Sequence, residues 1–183
     1  MTVIEDFKSA SIWGKLAFIF LAVASIFASI SFTTTGWGSS TNIVTSAATY
    51  QGLWRICGSS NQVGACSQVD GWANDWFGAV QAMVIFGFFG TIISFFLVIL
   101  YLFVAKCQKN GEVGLAAGII CIVTGILYLI GCIVFGTQWD KYYKDTAVID
   151  YALEYGFALS IVALALEIAA GVFLIVETKR GKA

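Results

Sequence analysis

The sequence predicts an all-α membrane protein, a bundle of four transmembrane helices carrying a small antiparallel β-sheet on its outer side. Three observations lead there: a composition too apolar for water, four apolar runs of membrane length, and a first outer loop with the texture of strands. Of the 183 residues, 59% are hydrophobic and 11% charged, and the mean hydropathy is +0.86. An ordinary soluble domain has about a quarter of its residues charged. The solvent that matches this chain is lipid.

In chain order, the spans fall at 12–32, 77–105, 113–135 and 155–176. Each supplies the roughly 20 apolar residues needed to cross the hydrocarbon. The first is longer than the roughly 7 to 15 apolar residues of a signal peptide, so it is expected to be retained. The second is the longest, which calls for tilt or projection beyond the bilayer. Two loops (33–76 and 136–154) and one tight turn (106–112) remain between them. Four spans put both termini on one side. Lys8, Lys15, Lys106, Lys109, Lys179, Arg180 and Lys182 lie on that side, against Arg55, Lys141 and Lys144 on the other. Positive residues stay in the cytoplasm, so the reading is a multi-pass plasma-membrane protein with cytoplasmic termini and both loops outside. The outer side is mildly acidic, with Asp70, Asp75, Asp140, Asp145, Asp150 and Glu154 against three bases.

No linker, low-complexity stretch or repeat divides the chain, so residues 1–183 read as one domain. There is no Pro, and unbroken spans suit a scaffold better than a carrier whose helices break at a midplane site. In the third span Gly114, Gly118, Cys121, Gly125 and Cys132 share a face. Gly114 and Gly118 form the small-xxx-small spacing that lets helices approach closely, either inside the bundle or against a second molecule. Trp13 marks one membrane boundary, and Trp37, Trp72, Trp76 and Trp139 mark the other, as an aromatic belt would.

The first outer loop is rich in Thr, Ser, Gly, Val and aromatics, which favours extended strands. Tyr50, Trp54 and Ile56 fall on alternate positions, giving that segment one apolar face. The run 58–61 is made of turn formers, and 63–69 returns as a paired strand. Of five cysteines only Cys57 and Cys66 lie in this loop, with eight residues between them. Residues facing each other in an antiparallel hairpin have an even number between them, so the spacing fits a bridge across a turn centred on Asn61 and Gln62. Cys121 and Cys132 are expected to pack within their span. Cys107, just past the second span, is a candidate for S-palmitoylation or an unmodified thiol.

The order Trp37, Gly52-Leu53-Trp54, Cys57, Cys66 in the first outer loop of a four-span chain resembles the claudin superfamily. That group comprises claudins, epithelial membrane and peripheral myelin proteins, and channel and receptor gamma subunits. The segment 79–83 also looks like its counterpart in epithelial membrane and peripheral myelin proteins. The resemblance implies a left-handed four-helix bundle topped by about five strands, four from the first loop and one from the second. It also implies a Trp54 set low in the sheet, either anchoring it at the membrane surface or filling the sheet–bundle junction. Gly58 and Ser67 stand beside the cysteines where ion-selective claudins carry charges, which removes the paracellular-pore reading. The ending Gly181-Lys182-Ala183 lacks a Tyr-Val-like scaffold motif, and no N-glycosylation sequon occurs.

With no His, no zinc-spaced cysteines and no phosphate-loop or nucleophile motif, the chain reads as a non-enzyme without cofactor or metal. Lys141 to Lys144 interleave bases with tyrosines, but beside acids on the outer surface, so nucleic acid is not a partner. Glu167 lies mid-span, where a carboxylate is costly, and no intramembrane Lys or Arg can pair with it. It is therefore read as protonated or bonded to a hydroxyl such as Ser25, Ser94, Thr124 or Tyr128, acting as internal glue, as a contact to a partner's helix, or in ion or proton handling.

Two functions follow from the resemblance. One is cell-junction adhesion and barrier formation, in which the chain meets lipid, itself and other claudin-like proteins in cis and in trans, with Tyr142 and Tyr143 exposed. The other is an auxiliary subunit of a channel or receptor pore, contacted through Gln81, Gly114, Gly118 or Glu167.

Overall fold

In lipid every backbone N–H and C=O must be satisfied within the protein, so long apolar runs become helices. The computed structural model describes residues 3–58, 65–69, 71, 74–104, 106–108, 110–144 and 147–180. After a short α1 (Val3–Ser9), the spans are α2 (Ile12–Thr33), α3 (Asp75–Phe103), α4 (Gly111–Tyr143) and α5 (Tyr155–Arg180). All four are long and apolar enough to cross a membrane, and the chain is a multi-pass membrane protein. Ser11 caps α2, its Oγ accepting from Gly14 N at 3.2 Å, and Asn110 caps α4 through Glu112 N at 2.9 Å. The Ser11 hydroxyl also donates to the Glu177 carboxylate, tying the start of α2 to the end of α5.

The helix ends depart from expectation, and α5, for one, runs to Arg180 rather than 176. α3 begins at Asp75 and stops at Phe103 rather than spanning 77–105. α4 continues to Tyr143, well past 135. The cause lies in the aromatic spacing. Phe135, Trp139 and Tyr143 recur every four residues on one helix face, with ring centroids 5.4 Å and 4.9 Å apart. The second outer loop is therefore two turns of helix, a short link and a strand.

Around the bundle, α3 packs on α4, α4 on α5, α5 on α2 and α2 on α3, leaving α2/α4 and α3/α5 as diagonals. The core has two parts. One, at the sheet end, gathers Trp37, Leu53, Phe77, Tyr128 and Phe135, and the other, toward the termini, gathers Leu21, Val98, Ala117 and Leu174. Large apolar side chains such as Phe86, Phe89 and Phe96 of α3 point outward, the arrangement lipid favours.

At the α4–α5 contact, a Cβ on Gly171 would lie 2.9 Å from the Gly118 carbonyl oxygen, and one on Gly118 would lie 3.1 Å from that of Gly171. Gly114 faces Thr178 and Tyr101, and Gly125 faces Ile168. The small-residue stripe thus joins two helices of one chain, and Gly114 and Gly118 are buried. Within the chain, the space beside these two glycines is filled by α5.

The strands are β1 (Gly38–Asn42), β2 (Ala48–Gln51), β3 (Arg55–Gly58), β4 (Ala65–Gln68) and β5 (Ile149–Leu153), in an antiparallel sheet ordered β4-β3-β2-β1-β5. Four come from the first loop and one from the second, which pairs with β1 along its whole length. The expected single apolar face through Tyr50, Trp54 and Ile56 does not form. The chain turns at 52–54, so Tyr50 faces Cys57 and Gln51 faces Ile56, which puts Tyr50 and Ile56 on opposite sheet faces. Residues 59–64, with the turn expected around Asn61 and Gln62, lie outside the described residues, as do Asp70, Trp72, Lys109, Asp145 and the tail after Arg180.

Replacing Gly171 by Leu is expected to force α4 and α5 apart and to destabilise the bundle by about 1 to 3 kcal/mol, the usual cost of overpacking. Thermal unfolding in detergent measures this, and an unchanged midpoint would contradict the close contact.

Candidate functional site

A helix ends with carbonyls that have no intrahelical partner, and in α2 these sit at the foot of the sheet. The cap residue Thr34 donates its N–H to Ile30 O at 3.0 Å. The next two carbonyls are met by the two signature indoles. Trp37 Nε1 donates to Ser31 O at 2.7 Å, and Trp54 Nε1 donates to Phe32 O at 2.7 Å. Both tryptophans therefore act as C-terminal caps delivered from the loop that follows the helix.

Trp37 is fully buried, edge-on to Phe135 at 5.1 Å, and its backbone joins β2 and β5 through Gln51 O and Glu154 N, both at 3.0 Å. Trp54 is half-buried, its ring 5.0 Å from Phe32, which stacks on Phe88 at 4.5 Å. Leu53 between them is fully buried, and its carbonyl accepts from Gln81 Nε2 at 2.6 Å. Gly52 is required by close approach, since a Cβ there would press on the Thr34 carbonyl and lie 2.7 Å from Thr35 Cα. The Gly-Leu-Trp turn is thus clamped between the end of α2 and the first turns of α3.

The far end of the sheet is held differently. Cys57 and Cys66 face each other across β3 and β4 and are joined by a disulfide with Cα atoms 4.1 Å apart. The pairing register puts the bridge on the face with Tyr50, opposite to that of Gly38, Gln51 and Tyr151. That second face meets the outer end of α4. Gly38 lies against the Trp139 ring, and Tyr151 donates to Asp140 Oδ1 at 2.8 Å, a bond that holds the phenol proton and raises its pKa above the ordinary value. Ser39 Oγ donates to Glu154 Oε1 at 2.6 Å.

The remaining sequence candidates fall as follows. Trp37 and Trp139 are buried in protein rather than set in a lipid-facing belt, because the sheet covers them. Trp13 is half-buried, with the Arg180 guanidinium 5.2 Å from its ring. Tyr142 is exposed, while Tyr143 is half-buried and stacked on Tyr151 at 5.6 Å. Cys107 lies half-buried in the turn after α3, and Cys121 and Cys132 are buried.

Glu167 is fully buried, enclosed by this chain's own helices. Its neighbours are this chain's own side chains, and Gln81 likewise bonds within the chain, its Nε2 donating to Leu53 O. Thr91 donates to Glu167 Oε2 at 3.2 Å, across the α3/α5 diagonal, while also contacting Gly87 O at 3.0 Å. Thr91 was not among the expected hydroxyls; Thr91 and Ser94 share a buried face of α3, which was the available signal. Ser31, the acceptor for Trp37, also escaped notice, because nothing in a lone Ser near a helix end marks its carbonyl. Among the described residues no cluster of His, Cys, Asp or Glu has the makings of a metal site.

Residues 10–174 match the model of the PMP-22/EMP/MP20/Claudin family, and the chain belongs to that family. No individual curated protein matches it.

Two substitutions test the site. Trp54→Phe keeps an aromatic ring, though a smaller one, and removes the N–H, leaving the Phe32 carbonyl unsatisfied; a loss of about 1 to 3 kcal/mol is expected, read as a lowered melting temperature with faster amide exchange in β2 and β3. Glu167→Gln offers both an acceptor and a donor to the same neighbours and is expected to melt within about 1 kcal/mol of wild type. A larger loss in that variant would show that the bundle needs an acid there.

Proposed function

We propose that this member of the PMP-22/EMP/MP20/Claudin family is a cell-junction adhesion and barrier protein of the plasma membrane, with both termini cytoplasmic and the sheet outside. It engages itself or other claudin-like chains, side by side in one membrane and head to head between cells. One observation carries the reading. The two outer loops make a single sheet locked to the bundle, and its edge strand β4 is exposed at every residue from Ala65 to Gln68. An unpaired edge is a ready surface for another chain. The neutral Gly58 and Ser67 beside the disulfide fit recognition of proteins better than selection of ions.

A second reading, an auxiliary subunit packed on a channel or receptor, draws support from the outward aromatic ridge of α3, where Phe86 is 66% exposed. Its polar candidates Gln81 and Glu167 already bond within the chain. The two readings part experimentally. Expressed in cells that lack junctions, the protein is expected to form strands at cell contacts visible by freeze-fracture, and the Cys57→Ser/Cys66→Ser variant is expected to lose them. Diffuse staining, with a stoichiometric pore protein recovered in mild detergent, would favour the second reading.

A further inference from the structure

Between the sheet and the helix ends lies a cavity of about 280 Å³. At about 30 Å³ per water it is far larger than a bridging water needs, and it is close to the smallest volumes of small-ligand sites, about 300 Å³. The sheet contributes Thr49 and Gln51, on the face turned toward α4. The start of α3 contributes Asn74 and Trp76, and the end of α4 contributes Trp139 and Tyr142.

The chemistry of this lining is specific. Among the described residues the lining carries no charged side chain. The polar groups are side-chain amides and hydroxyls, each able to donate and to accept, and these match a ligand whose own polar groups are hydroxyls. The opposite wall is aromatic, with Trp139, Tyr143 and Tyr142 set edge to face at 4.9 Å steps, and of the three it is Tyr142 whose ring is exposed. Aromatic faces take up flat, weakly polar C–H surfaces. An acyl chain or sterol would strand the amides without partners, a costly outcome.

We propose that this cavity binds a neutral, hexose-sized saccharide, stacking its C–H face on the exposed Tyr142 ring and turning its hydroxyls toward Gln51, Thr49 and Asn74. The sugar is either free or the terminal residue of a glycan. The inference rests on the outward orientation of the sheet but not on adhesion.

The test is saturation-transfer NMR on the full chain in nanodiscs, against a panel of neutral hexoses and N-acetylhexosamines, each as free sugar and as methyl glycoside. At least one member is expected to receive saturation at its ring protons; equal signals from the methyl glycoside assign the site to glycan termini, and loss on methylation assigns it to free sugars. Gln51→Ala and Asn74→Ala are each expected to weaken binding about three- to tenfold, with Arg55→Ala, on the other sheet face, unchanged. Asn74 is exposed, so its variant is a test even where Gln51→Ala does not fold. Silence across the panel, undiminished binding in Asn74→Ala, or displacement of the sugar signal by tetramethylammonium alone would overturn the proposal, the last in favour of a cation–π cage. Sugar binding by a protein that forms no junctional strands would sustain this inference while removing the adhesion reading.

Discussion

The outer half of this protein depends on how the carbonyls at the end of α2 are satisfied. Each lies where water is scarce and no further helical N–H is available. Trp37 and Trp54 supply the missing donors to Ser31 and Phe32, and each brings an aromatic body that packs on the helices below. Few side chains combine one strong N–H with so much apolar surface. Tyrosine could donate, but from a hydroxyl at the far tip of its ring. The two caps fix where the chain must turn after α2 and again at 52–54, and so they set the height of the sheet above the bundle.

From that anchor the remainder follows. Gly52 and Leu53 seat the turn against α2 and α3, β1 receives β5 from the second loop, and the disulfide closes the free end at β3 and β4. The sheet then has one face turned toward the outer end of α4, where Trp139, Tyr143 and Asp140 meet Gly38 and Tyr151, and one face carrying Tyr50, Arg55 and the bridge. A surface held at so many points is preorganised, which lowers the ordering cost of recognition. The bundle beneath is built by a different rule. Its contacts are glycine against glycine between α4 and α5, and its one mid-span acid is turned inward to Thr91, so the lipid-facing surface is left to apolar side chains.

Much of the fold was legible because lipid imposes simple demands. Four apolar runs had to be helices, and two cysteines with eight residues between them in a strand-rich loop could face each other in a hairpin. The readings that failed involve choices between partners of similar chemistry. The alternation of Tyr50, Trp54 and Ile56 looked like a strand, yet Trp54 follows the Phe32 carbonyl into a turn. Trp139 looked like an interfacial residue, yet the sheet lies over it. Ser94 of α3 looked like the hydroxyl for Glu167, yet Thr91, one turn away on the same buried face, is the one that reaches it, a choice of height along the helix that only packing makes.

By itself the sequence determined what kind of solvent each segment meets, how many spans there are, and which two thiols can pair, since these rest on composition, length and local spacing. Only the tertiary structure decided which carbonyls the signature tryptophans cap, that Gly118 meets Gly171, that Glu167 faces inward, and that amides from the sheet and aromatics from α4 enclose one cavity. Those outcomes depend on distances between segments far apart in the chain. Local chemistry allows many such pairings, and packing selects one.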